Sequence, residues 1–190
     1  MVGMSILATA PVDDVTGLAA ELYVEDLDHL GYVPSHTRLM AINPEAVRGF
    51  ETLIGAIRAA MSGRRYELIT LAAAEAIGSQ SCRIAHAKMA LRYMPEDEVA
   101  RVVSNFRTAG LSDAEVGMME FAGKVSRESS AMTDADSQRL RDLGFQDREI
   151  VDIALAAAAR NYFSRALHAL AADVDVPPDL SPRLRQALAV

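Results

Sequence analysis

Apolar residues recur along this chain at three- and four-residue intervals, and nowhere do they alternate with polar ones over the length of a strand. Glycines, prolines and capping Ser, Thr, Asp and Asn residues cut the pattern into about ten helices joined by short connections. The first is predicted over 12–29 with Gly31 as its stop, followed by a turn through Pro34 and a short helix over 35–42 capped by Ser35. Asn43-Pro44 then opens a helix with Val47, Phe50, Ile54 and Ile57 on one side, ending near Gly63. The stretch 64–77 is apolar on almost every face except at Glu67 and Glu75, and Gly78 ends it; Ser79 caps the next helix, over 79–93. Pro95 starts a polar helix that Gly110 ends, Ser112 to Glu115 form a capping box for a helix to about 126, and Thr133 caps one that stops at Gly144. An Ala-rich helix over 148–159 and a separate helix over 162–172 complete the set, with Pro177-Pro178 setting off a short tail.

Composition sharpens the class. Apolar residues make up 51% of the chain but aromatics only 5%, with no Trp, so the apolar share rests on Ala, Leu, Val and Met, which suit helix-on-helix packing. At 190 residues the expectation is one all-α domain spanning 1–190. The net charge of −7 repels phosphate backbones and anionic lipid, which argues against nucleic acid and membrane surfaces as partners. The apolar run over 68–77 is interrupted by Glu75 and falls far short of the ~20 residues that cross a bilayer. The first dozen residues lack the basic start of a secretory leader, so the expected location is cytoplasmic. Ala-rich faces around 68–77 and 150–159 exceed what one small core covers, from which a homo-oligomer is expected.

One cysteine, Cys82, excludes an internal disulfide and is either a small core residue or a reactive thiol. A stop at Gly78 and a cap at Ser79 put it near the third helical position, where free N–H groups and the helix dipole favour a sulfur anion. His86 lies one turn further on the same face, and Glu67 on the preceding antiparallel helix lies at a depth from which its carboxylate reaches His86. The predicted relay has Glu67 orienting His86 and stabilising its imidazolium, and His86 taking the Cys82 proton. One Cys, one His and one Glu lack a local fourth ligand, so neither a metal nor another cofactor is expected. The spacing Glu67-x11-Ser79-x2-Cys82-x3-His86 recurs as Glu149-x11-Asn161-x2-Ser164-x3-His168. This match suggests two related helical halves, a motif-bearing one over about 12–94 and a degenerate one over about 95–176.

The run from Arg65-Tyr66-Glu67-Leu68 to Ser79-Gln80-Ser81-Cys82-Arg83-Ile84-Ala85-His86 is similar to the Glu-x11-Cys-x2-Cys-x3-His signature of the alkylhydroperoxidase AhpD core, within the carboxymuconolactone decarboxylase family. Leu30 to Pro34, Asn43-Pro44-Glu45 and Ala157 to Arg165 resemble segments of that family's peroxidase-related members, so the likeness covers most of 15–175. The resemblance implies an AhpD-like all-helical fold, homo-oligomers, and reduction of small hydroperoxides by an external thiol or dithiol. Glu67, Cys82 and His86 match the family's Glu, second Cys and His, while Ser79 stands where the first Cys belongs. A hydroxyl cannot resolve a sulfenic acid, so the site is expected to work through one cysteine. Two other readings stay open: a lactone-acid lyase using the His as acid and base, with only Arg83 nearby to clamp a carboxylate, and an oligomer without catalytic activity.

Overall fold

The computed structural model describes residues 7–190; the first six, on which the leader reading partly rests, lie outside them. The described residues form ten α-helices, three short 3₁₀ turns and no strand, an all-α fold as predicted. In order the helices are α1 (Gly17–Leu30), α2 (Ser35–Met40), α3 (Pro44–Ala59), α4 (Gly63–Ala76), α5 (Gln80–Ala90), α6 (Glu96–Asn105), α7 (Asp113–Glu128), α8 (Asp134–Asp142), α9 (Asp147–Ala169) and α10 (Pro182–Leu188). Two compact units divide the described residues, one of 7–55 with 165–175 and one of 56–164 with 176–190.

The first unit packs Leu22, Tyr23 and Ala41 into a cluster edged by Val15, Ala19, Val33 and Val47. Within it Asp175 accepts hydrogen bonds from the backbone N–H (2.7 Å) and hydroxyl (2.9 Å) of Ser35. The second unit centres on α4, whose residues from Tyr66 to Ala74 are all buried, with α5 and α7 packed on it. The apolar face over 68–77 expected to drive oligomerisation is therefore largely consumed by this core.

Punctuation held at most boundaries. Ser112 and Thr133 both form capping boxes, with Glu115 and Asp136 reaching back to the cap backbone. Several predicted features differ. The first helix, expected from 12, starts at Gly17 behind a separate 3₁₀ turn at Val12–Asp14, and Ser35, expected as a cap, is the first residue of α2 behind Pro34. The break expected between 159 and 162 is absent: α9 runs unbroken through Ala159-Arg160-Asn161-Tyr162, which holds no Gly or Pro, and Asn161 Nδ2 donates back to the Ala157 carbonyl at 2.8 Å. The expected tail contains α10, capped by the Ser181 hydroxyl with Pro182 at its first turn, and its Leu184 and Leu188 are fully buried where α10 packs on α6.

Candidate active site around Cys82

The α4–α5 turn positions the site. Gly78 takes φ +69°, and the chain closes α4 with the paired bonds Ser79 N–H to Ala74 C=O (2.9 Å) and Gly78 N–H to Glu75 C=O (3.0 Å). This is the Schellman arrangement, for which glycine's freedom at positive φ is needed. Ser79 follows as the N-cap of α5, but its buried hydroxyl makes no capping hydrogen bond, contrary to the role read from the sequence. Cys82 is the third residue of α5 and His86 lies one turn further on.

Glu67, with no exposed surface, directs Oε2 to His86 Nδ1 at 2.7 Å. Thr70 Oγ1 lies 3.2 Å from the same nitrogen and 3.0 Å from the carbonyls of Tyr66 and Glu67, to which its O–H donates. Both side-chain neighbours thus present lone pairs to Nδ1, which assigns the imidazole proton to Nδ1 and leaves Nε2 basic. Burial pushes the His86 pKa below its ordinary 6.5, helped by the positive charges of Arg160 and Arg58 and opposed by Glu67. Removing a charge from water thus works against the imidazolium that the relay forms when His86 takes the thiol proton, and the Glu67 carboxylate works for it.

The sulfur of Cys82, on a residue 3% exposed, sits elsewhere in the network. Ser164 Oγ donates to it at 3.1 Å and Arg160 Nη1 approaches at 3.5 Å, both from α9. Among the described residues these are its hydrogen-bond partners, and the imidazole is not one of them. Of the predicted relay, the structure joins Glu67 to His86 and holds Cys82 one helical turn away, with no direct bond between thiol and ring. Arg160 itself is 6% exposed, lies close enough to the Tyr66 phenol to act on it electrostatically, and places its guanidinium 5.6 Å from the Phe163 ring centre. Its Nε is buried without a partner, as is Oε1 of Glu67.

Arg160, Ser164, Thr70 and Tyr66 were not singled out as site residues by sequence reasoning. For two of them a signal existed. In the spacing match Ser164 corresponds to Cys82, and Arg160 to the helix-ending Gly78. Glu149, the counterpart of Glu67, sits at the start of α9, where Oε2 accepts from Gln146 N–H at 2.8 Å and Oε1 from Arg65. Among the described residues no cluster of three or more His, Cys, Asp or Glu side chains is placed to hold a metal.

No family profile matches the chain, and no curated protein matches it. Solved structures do. An uncharacterized peroxidase-related protein from Ralstonia eutropha JMP134, with the alkylhydroperoxidase AhpD core, superposes with a TM-score of 0.79 at 23% identity over 97% of this chain and 96% of its own. An uncharacterized peroxidase-related protein from Silicibacter sp. TM1040 gives 0.78 at 25% identity, over 90% and 92%. A cysteine-to-alanine variant of the debrominase Bmp8 in complex with 2,3,4-tribromopyrrole gives 0.77 at 18% identity, over 98% of each chain.

Proposed function

From a chain with the AhpD-core fold, we propose a thiol-dependent oxidoreductase that reduces small hydroperoxides through Cys82 alone, using an external thiol. The observation that carries this reading is the Glu67–His86 pair, whose 2.7 Å bond frees Nε2 as a proton acceptor one helical turn from the lone cysteine. The Cys82 proton passes to Nε2, directly or through one water. The sulfur attacks the terminal oxygen of R–O–O–H, an S–O bond forms as the O–O bond breaks, and R–O⁻ takes a proton and leaves as R–OH. The sulfur is oxidised by two electrons and becomes a sulfenic acid. One external thiol displaces water to give a mixed disulfide, and a second restores Cys82 and leaves as the external disulfide.

Ser79 and Ser164 supply only hydroxyls beside this cycle, so no internal disulfide completes it. An organic halide of the class bound by the Bmp8 variant is the alternative electrophile for the same sulfur. Arg83, the clamp considered for the lyase reading, donates to the Gln80 side chain (3.0 Å) and the Val103 carbonyl (2.9 Å). Self-association belongs to the same proposal, now through exposed Val151, Leu155 and Tyr162 along α9 in place of the face over 68–77.

The test exposes native protein to cumene hydroperoxide with dimedone present, then to dithiothreitol without it. A dimedone adduct on Cys82 and thiol-dependent turnover are expected. A Cys82 that forms no adduct, in a protein that consumes no hydroperoxide, would overturn the reading.

A further inference from the structure

Arg160 is the charge in this site that the redox cycle does not use. It is nearly fully buried, a placement that costs several kcal/mol unless a counter-charge and hydrogen bonds offset it. Among the described residues it takes part in no ion pair; its neighbours are a phenol oxygen, a sulfur and a ring face. One donor, Nε–H, has nothing to bond. Glu67, the site's carboxylate, gives one oxygen to His86, and its other oxygen is also without a partner. Native proteins seldom bury donors and acceptors unpaired, so a guanidinium left this way beside the reacting atom calls for a ligand. What suits it is an oxygen carrying negative charge, because each of its N–H groups donates and none accepts.

We infer that Arg160 makes the Cys82 site selective for electrophiles that carry an anionic oxygen, such as a carboxylate-bearing hydroperoxide, over neutral ones of the same size. The inference rests on Cys82 being reactive, as proposed above. Arg160 holds the anionic oxygen through its unpartnered donor. Ser164, whose hydroxyl lies 3.1 Å from the sulfur, fixes the thiol's orientation and carries no charge selection of its own.

Iodoacetate and iodoacetamide separate charge from access, since they alkylate by the same displacement of iodide and are almost equal in size. Their rates on native protein are measured at low salt and expressed as a ratio against the ratio for N-acetylcysteine in the same buffer. The expected ratio favours iodoacetate by about tenfold over the free thiol, the scale of one charge-assisted hydrogen bond. Arg160→Met should bring it to the free-thiol value, Arg160→Lys should retain most of it, and Ser164→Ala should alter both rates while leaving the ratio in place. A wild-type ratio equal to that of N-acetylcysteine overturns the inference even if Arg160→Met fails to fold, and leaves the redox reading standing. A Cys82 that reacts with neither reagent overturns the inference, and the redox reading falls with it only if no dimedone adduct forms and no hydroperoxide is consumed.

Discussion

The α4–α5 hairpin and α9 carry the same spacing of Glu, small polar residue and His, yet they are built differently and do different work. In the hairpin, Gly78 at φ +69° breaks the helix and turns the chain, which puts Cys82 near the start of α5 and Glu67 within reach of His86. In α9 the corresponding residue is Arg160; the helix runs on, and the side chain in place of the glycine reaches the sulfur of Cys82. Glu67 is buried with one oxygen on the imidazole and one unpartnered, whereas both oxygens of Glu149 serve structure, one at a helix start and one on Arg65. Equal spacing therefore does not mean equal structure. Where the hairpin has a glycine at its turn, the continuous helix has an arginine that supplies a charge.

The largest expected effect breaks this comparison at the carboxylates. Cys82→Ser should abolish thiol-dependent hydroperoxide reduction, and Glu67→Gln should lower it by about 10²-fold, the usual worth of a positioned acid–base pair. Glu149→Gln should leave turnover within error of wild type in the same peroxidase assay. A comparable loss from both Glu variants would make the two segments functionally equivalent.

Ser79→Cys probes the missing thiol. Three residues before Cys82, a second sulfur should resolve the sulfenic acid internally, giving several-fold faster turnover with a dithiol and a disulfide detectable by mass. Unchanged kinetics and two free thiols after peroxide treatment would show that the α4–α5 turn cannot bring the pair together.

Stability separates the turn from the continuous helix. Gly78→Ala meets no atom within 4 Å, so it should cost only the strain of its left-handed backbone, ~1 kcal/mol in urea unfolding. Arg160→Gly should also lose ~1 kcal/mol of helix propensity, and in addition lose the preference of Cys82 for iodoacetate. A Gly78→Ala protein as stable as wild type would refute the positive-φ turn.

His86 adds a pH dependence. Its folded pKa lies below the ordinary 6.5, so the unfolded chain binds the proton more readily, and stability should fall as pH drops through 6.5 towards the folded value. His86→Asn should flatten that part of the urea-midpoint profile between pH 7 and 5. Smallest of all, Glu149→Gln should cost at most ~1 kcal/mol by thermal unfolding, because its bridge to Arg65 is partly open to solvent.

Most of the helical punctuation was legible, since Gly78, Ser112, Thr133 and Gly144 act through local backbone chemistry that neighbours along the chain reveal. The helix α10 was signalled by Ser181-Pro182, yet its short apolar pattern gave no reason to expect a helix until Leu184 and Leu188 were seen buried. Half of the site was legible too. Cys82 and His86 share a face because they lie one turn apart, and a helix–turn–helix brings Glu67 back to the ring whatever else the chain does.

What the sequence by itself determined was thus the all-helical fold class, most helix ends and the Glu67–His86 pairing, all set by residues within about twenty positions of one another. Only the tertiary structure decided that the His86 pKa is pushed down, because burial depends on everything packed around it. It alone brought Arg160 and Ser164 to a sulfur about eighty residues earlier in the chain, since a contact between distant segments follows from how helices pack and not from the period within any one of them.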